Sequence, residues 1–314
     1  MKNDERMIVK IIKEICEEEK IDYTLFSYDW ILRLRKNNQV GFVFGYNFGA
    51  NNATSAHICD DKSAASEVLL FTGIPTVEHM FFMSPNNIFY IGENGNWSRI
   101  QRMLEKYGKL VCKANEGTGG NMVFLVENQV QLEDAVHRIF KQHRSMAISP
   151  FFHIIKEYRV IVLNGEVKLA YSKNIPFIKG DGKKSIRQLL LEFMTNNEFL
   201  LTLEYNEKIL GRVLLDGEIW NINWKSNLGQ GASPELVADR TLLNELSNLA
   251  IKAASAISIN FASIDIIKTN EGLKVLEINC GIMMENFIRS APQNYDIAKE
   301  IYRDAVHSMI KSNE

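Results

Sequence analysis

Phe261-Ala262-Ser263-Ile264-Asp265-Ile266-Ile267, followed after a turn by Leu273-Lys274-Val275-Leu276-Glu277-Ile278-Asn279, decides how this chain of 314 residues is read. Two apolar runs separated by Asn270-Glu271-Gly272 predict an antiparallel hairpin. Alternation puts Ser263, Asp265 and Ile267 on one face of the first strand. On the return strand it puts Leu273, Val275, Glu277 and Asn279 on one face. A turn centred on Asn270-Glu271-Gly272 sets Asp265 opposite Glu277. Two carboxylates directly opposed on a sheet repel, and a cation between them relieves the repulsion. Asp265, Glu277 and the Asn279 amide are oxygen ligands of the kind that suits Mg²⁺ bound together with substrate phosphates. The plainer alternative is a solvated face with spaced charges. Ile264, Ile266, Leu276 and Ile278 leave the strands short of surface character and favour the cation.

A second hairpin lies upstream. Residues 109–114 and 122–126 read as strands, and Asn115-Glu116-Gly117-Thr118-Gly119-Gly120-Asn121 joins them. No Gly-Lys-Ser/Thr follows the glycines and no helix opens from them, so this is neither a Walker A loop nor a dinucleotide fingerprint. Glycines still let backbone N–H groups approach phosphate oxygens closely. A loop between two antiparallel strands can also close over a nucleotide as a lid. Lys113 sits on the strand face opposite Leu110 and Cys112, and Lys62 opens a helix. Lone lysines in such places are usually solvated, but beside this loop their charges suit phosphates.

The rest of the chain mixes helices with antiparallel hairpins. Ile8, Ile11, Ile12 and Ile15 predict an opening amphipathic helix. Residues 40–48 read as a strand ending in a loop at 49–54. A helix starts near Asp60-Asp61 and stops at Gly73, and another covers 97–107. Helix 131–143 follows, then strands 158–163 and 166–171 around Asn164-Gly165, a strong hairpin signal. Residues 185–196, a long stretch ending near Ile257, and 295–311 read as helices. That order argues for an α+β fold, not a doubly wound parallel sheet.

Composition narrows the function. Lys plus Arg is 36 and Asp plus Glu is 38, a formal net charge of -2. That balance predicts no nucleic-acid and no anionic-membrane partner, while a local anion site remains allowed. No stretch has the ~18 uninterrupted apolar residues of a membrane span, and no secretory segment opens the chain. Cys16, Cys59, Cys112 and Cys280 are far apart, which predicts reduced thiols in a cytoplasmic protein.

Lysine, glycine-rich lid, Asp strand and Glu-x-Asn strand, in that order, resemble the ATP-grasp superfamily. The likeness is greatest to the ligase domains of cyanophycin synthetase and bifunctional glutathione synthetase. Asp61-Lys62-Ser63-Ala64 followed by Gly73-Ile74-Pro75, Glu157-Tyr158-Arg159-Val160 before its hairpin, Gly180-Asp181-Gly182-Lys183-Lys184-Ser185-Ile186, and Lys225-Ser226-Asn227-Leu228-Gly229-Gln230-Gly231 all look like segments of that family. The resemblance implies two α+β subdomains clasping ATP, preceded by a short α/β N-terminal piece: residues 1–60, a lid-bearing subdomain at 61–146, and a metal-binding subdomain at 147–314. It implies a ligase that makes an acyl phosphate from a carboxylate and ATP, releases ADP, and passes the acyl group to an amine.

By the same resemblance, Lys62, Lys113, Glu116, Gly117, Thr118, Gly119, Gly120 and Lys173 would contact the nucleotide. Backbone groups near Ile148 and Phe151 would serve the adenine, in a stretch that carries none of the family's usual acidic residues. Lys225, Asn227 and Arg159 would be catalytic, with Lys225 standing where an arginine is usual. Asp265, Glu277 and Asn279 would hold one or two Mg²⁺, or Mn²⁺ in their place, and Arg212 and Gly231 would meet substrate. The implied partners are ATP and an amino acid or peptide, with a homodimer left open. Three alternatives stand beside this: a phosphotransferase on the same fold, a ligase acting on a peptide or protein, and a binding module with decayed catalysis. Intact Lys113, Asp265, Glu277 and Asn279 speak against decay.

Overall fold

The apolar stripe Ile8, Ile11, Ile12 and Ile15 becomes the buried side of α1 (Met7–Glu19). The structure is a computed structural model and describes residues 5–92, 97–117, 120, 122–196, 207–222 and 232–310. After α1 come β1 (Asp22–Phe26), β2 (Ile31–Lys36), β3 (Gln39–Phe44) and β4 (Asn47–Phe48), an antiparallel sheet in chain order. The stretch expected as one strand at 40–48 is therefore two, parted at Gly45, whose φ is +61°. The first hairpin was not expected, although β2 alternates Leu32 and Leu34 with Arg33 and Arg35, the pattern of a half-buried strand.

The helix expected from Asp60-Asp61 to Gly73 is α3 (Lys62–Phe71), and a helix that was not expected, α2 (Ala53–Asp60), precedes it. Each has its own cap. Asn52 Oδ1 accepts from Ser55 N at 2.8 Å, and Asp61 Oδ1 accepts from Ala64 N at 2.8 Å. Short polar side chains of this kind satisfy the first free N–H groups of a helix, so Asp61 ends one helix and starts the next.

The layer that carries the glycine-rich segment expected as a lid contains β5 (Met80–Met83), a 3₁₀ turn (Pro85–Tyr90), α4 (Trp97–Tyr107), β6 (Leu110–Ala114), β7 (Val123–Val126), α5 (Gln129–Gln142) and β8 (Ser145–Pro150). Its sheet runs β5-β8-β6-β7, all antiparallel. One face carries Phe82, Leu110, Cys112, Met146 and Ile148 and packs on Ile100, Met103, Leu132 and Ile139 of α4 and α5.

β9 (Lys156–Leu163) and β10 (Glu166–Asn174) turn through Asn164 and Gly165, both at positive φ (51° and 79°). That is the tight hairpin turn the Asn-Gly pair predicts. Next come β11 (Phe177–Lys179), α6 (Ile186–Asn196), α7 (Glu207–Leu210), β12 (Ile219–Asn221) and β13 (Ser233–Leu236). The chain closes with α8 (Arg240–Ile257), β14 (Phe261–Thr269), β15 (Gly272–Asn279), α9 (Glu285–Ser290) and α10 (Asn294–Met309).

The chain forms two units, Met1–Ser172 with Leu236–Glu314, and Lys173–Glu235. In the first, β10, β9, β14 and β15 lie side by side in that order. One face of this sheet, with Tyr158, Val160, Ile264 and Ile266, packs on Leu69 of α3 and on Leu246, Ala250 and Ala253 of α8. The N-terminal piece is fastened to β14. Phe48 packs edge-on against Phe261 at 5.2 Å and stacks on Tyr302 at 5.5 Å. Asn51 donates to Phe261 O at 2.7 Å and accepts from Phe261 N at 2.8 Å.

The second unit has its own small core of Ile178, Ile186, Leu190, Leu214 and Ile222. There the backbone crowds Gly180: a Cβ would lie 2.1 Å from Leu215 O. All four cysteines are free and buried, one in α1, one in α2, one in β6 and one just after β15. Burial pushes each thiol up to about 12. Among the described residues, no helix is long and apolar enough to cross a membrane.

Candidate active site

The β14–β15 hairpin pairs Asp265 directly with Glu277 and Ser263 with Asn279, as alternation and the turn predict. Below that pair the register slips. Ile266 pairs with Val275, so Leu276 is an extra residue on β15. Such a bulge flips every later side chain to the other face. The expectation that Leu273 and Val275 share a face with Glu277 and Asn279 is thereby corrected: Val275 is buried in the core beneath α3 and α8, and Lys274 stands opposite Ile267.

On its other side Asp265 pairs with Arg159 of β9. Arg159 Nε donates to Asp265 Oδ1 and Nη2 to Oδ2, each at 2.8 Å. This bidentate fork is the strong form of a charge-assisted bond. Burial pulls the guanidinium down, but the Asp265 charge, Tyr171, the hydrogen bonds to Asp265 and the Glu277 charge together outweigh it and hold Arg159 well above its usual value. Asp265 is thus buried with a counter-charge from the protein itself, a cation the hairpin's sequence does not reveal. Asn279 Nδ2 donates to Glu277 Oε1 at 3.3 Å.

The oxygen donors on this face are two carboxylates and an amide. Among the described residues, no three His, Cys, Asp or Glu side chains gather as for a metal ion. The donor set fits a hard cation in chemistry.

Facing these groups is Lys113 of β6. It lies on the sheet side opposite Cys112 and pairs with Ala147 of β8, which pairs in turn with Phe81 of β5. Lys113 is buried, and burial drives its ammonium down to about 8. Glu277 opposes that shift, Lys62 adds to it, and Glu157 and Asp265 oppose it more weakly. Lys113 is therefore within electrostatic reach of both carboxylates of the hairpin.

Lys62 opens α3, and its Nζ donates to the carbonyls of Asn115 and Gly117 at the lid base. Asn115 ties the same helix to the lid. Its Oδ1 accepts from Ser63 N at 3.1 Å and from Ser63 Oγ at 2.9 Å. Sequence reasoning passed over Asn115 as loop. The available signal was an Asn at the end of a strand, where its side chain can bond nearby backbone. A narrow crevice here is lined by Lys62, Ser66, Thr76 and Glu277.

A D-alanine–D-alanine ligase from Bacillus anthracis superposes with a TM-score of 0.55 at 16% identity, covering 82% of this chain and 68% of that one. A bifunctional glutathione synthetase from Pasteurella multocida superposes with a TM-score of 0.56 at 15% identity, covering 96% of this chain and 44% of that one. Residues 211–304 match the family model of the RimK-like ATP-grasp domain. The chain has the ATP-grasp fold.

Two curated relatives match shorter stretches of this ATP-grasp chain. Tetrahydromethanopterin:alpha-L-glutamate ligase of Methanocaldococcus jannaschii is 40% identical over 57 residues, 18% of this chain and 19% of that protein. The protein of the same name from Methanococcus maripaludis is 31% identical over 85 residues, 27% of each. The matches thus span about a fifth and about a quarter of these relatives' lengths. The α+β, ATP-grasp expectation drawn from the sequence is borne out.

The other expected ATP-grasp residues are placed as follows. Glu116 is exposed, Gly117 N donates to Ala114 O at 3.4 Å, and Gly120 has a φ of +73°. The Ile148 side chain pairs beside Cys112 and turns into the lid core, away from Lys113. Phe151 N donates to Lys109 O at 3.0 Å. Lys173 is buried at the end of β10. Arg212 belongs to the second unit, is exposed, and donates to Glu218 Oε1 at 2.6 Å. Thr118, Gly119, Lys225, Asn227 and Gly231 lie outside the described residues.

Proposed function

We propose that this chain is an ATP-dependent ligase that joins a carboxylate to an amine. The observation that carries the reading is the approach of Lys113 to Asp265 and Glu277, with Lys62 bearing on Lys113 and lining one crevice with Glu277, within one unit of an ATP-grasp fold. Phosphoryl transfer needs positioning and charge neutralisation more than covalent help from the protein, and these groups offer both.

In this reading a substrate carboxylate oxygen attacks the γ-phosphorus of ATP. The bond from that phosphorus to the β-bridging oxygen breaks, ADP leaves, and an acyl phosphate forms. An amine nitrogen then attacks the acyl carbon, phosphate departs with the carbon–oxygen electron pair, and the nitrogen loses a proton to solvent. Lys62 and Lys113 hold the α- and β-phosphates, and Glu116, Gly117, Thr118, Gly119 and Gly120 cover the phosphate chain. Ile148 and Phe151 lie on the adenine side by their backbone, and Lys173 adds a charge. Lys225, Asn227 and Arg159 steady the transferring phosphoryl group and the acyl phosphate, and Arg212 and Gly231 serve the substrate. Asp265, Glu277 and Asn279 would hold Mg²⁺, which when bound neutralises charge on the phosphate oxygens.

The relatives named as glutamate ligases make α-amino acids the first compounds to try. The test is an ADP-release screen over amino acids and short peptides with hydroxylamine present. A hydroxamate product is expected, because hydroxylamine intercepts an acyl phosphate. ADP release with a stable phosphorylated product and no hydroxamate would replace the ligase reading with phosphotransfer.

A further inference from the structure

His79 immediately precedes β5 and shares the Lys113 face of the lid sheet. Met80 pairs with Ile148, and Phe81 pairs with Ala147, which pairs with Lys113. Alternation then puts His79 on the Phe81 side, away from the lid core. The residue is only 5% exposed. Its backbone N–H donates to Ser66 Oγ at 2.9 Å, and Ser66 Oγ donates to Val77 O at 3.1 Å. Ser66 stands one helical turn beyond Lys62 on α3, so His79 is held against the helix that carries that lysine.

The ring is half satisfied. One nitrogen donates to the Val77 carbonyl, while Nε2 is buried with no partner among the described residues. Buried polar atoms seldom stay unpaired, and each one needs a reason. The charged groups bearing on the ring are Lys113 from β6 and Lys62 from α3. The carboxylates Glu277, Glu157 and Asp265 bear on Lys113.

We propose that His79 is a third phosphate-binding group of this cleft: when a nucleotide occupies Lys62 and Lys113, the ring takes one proton from solvent and Nε2–H donates to a phosphate oxygen. Without nucleotide, burial first and the two lysines second hold the imidazole neutral, well below its ordinary range. A polyphosphate neutralises both ammonium groups and reverses the local field. A neutral imidazole is the side chain whose charge state answers such a change near neutral pH. Nucleotide binding is then coupled to proton uptake. This inference rests on the nucleotide reading of the cleft, and its test separates the two.

Mg·ADP binding to the intact chain is measured by calorimetry near pH 6.8 in PIPES and in imidazole, whose ionisation heats differ. The wild type is expected to take up protons on binding. His79→Gln is expected to lose that uptake and to bind roughly tenfold more weakly, the scale of one charge-assisted hydrogen bond. Adenosine, which lacks phosphate, is expected to bind without uptake. In ring ¹⁵N spectra of the wild type, His79 moves from a neutral tautomer to imidazolium on adding Mg·ADP, a readout that needs no variant to fold. Mg·ADP binding with the ring still neutral, or with equal uptake in His79→Gln, overturns this inference and leaves the nucleotide reading intact. No Mg·ADP binding at all overturns both.

Discussion

Lys113 shows most directly how one residue ties the fold to the chemistry. Its ammonium is held near 8, below the ordinary 10.5, chiefly by burial. Between those two values the unfolded chain binds more protons than the folded one, so the stability from this group rises with pH across that window. In the proposed reading nucleotide binding needs the charge and should fall over the same window. Thermal unfolding and Mg·ADP calorimetry from pH 7 to pH 10 are therefore expected to move in opposite directions, and Lys113→Met should flatten both trends. The acidic pair separates in a similar way. Glu277→Gln should keep the wild-type circular dichroism and lose ADP release. Asp265→Asn should lose ADP release and also cost on the order of 3 kcal/mol in stability, because it leaves the Arg159 guanidinium without its counter-charge. Unchanged turnover in either variant would remove these residues from the reaction. The Asp265–Glu277 pairing was legible because alternation and a turn are local signals. The pairing of Arg159 with Asp265 and the contacts of His79 were not legible, since they arise across the fold and leave no mark on the residues beside them, whereas Asn115 carried a signal in its place at the end of a strand.

Single elements carry the next layer. The stripes of α1 and α8 and the Asn164-Gly165 turn were readable because each repeats one period or needs one backbone conformation. The bulge at Leu276 was not, because an extra residue in a strand disturbs no local pattern. The start of α3 at Asp60-Asp61 was legible from carboxylates that suit a helix N-terminus, and Asp61 is its cap, whereas α2 before it was missed. Removing that cap tests its role: Asp61→Ala should lower stability by about 1 kcal/mol in denaturant unfolding. It should also weaken Mg·ADP binding, because Lys62 is the first residue of the freed helix. In the second unit, Gly180→Ala drives a methyl into the Leu215 carbonyl. Hydrogen exchange is expected to speed up across β11 and β12 in that variant, while the β6–β7 hairpin keeps its protection.

At the scale of the molecule, the -2 balance says little about where charge matters. Lys62 and Lys113 lie in one unit, Met1–Ser172 with Leu236–Glu314, which also holds Asp265 and Glu277, whose charges bear on Lys113. A ligand that binds only the folded state stabilises it by about 2.7 kcal/mol at a hundredfold excess over its Kd. Mg·ADP should therefore raise the unfolding temperature of the wild type, and Lys113→Met should forfeit most of that rise. The four buried thiols carry a separate consequence. Alkylation requires thiolate, and a thiol held near 12 offers almost none. Cys16 reports on the N-terminal helix, Cys112 on the lid sheet, and Cys59 and Cys280 on the base of the central sheet. Pulsed alkylation read by mass spectrometry would thus time the opening of each layer from within, with no label engineered into the chain.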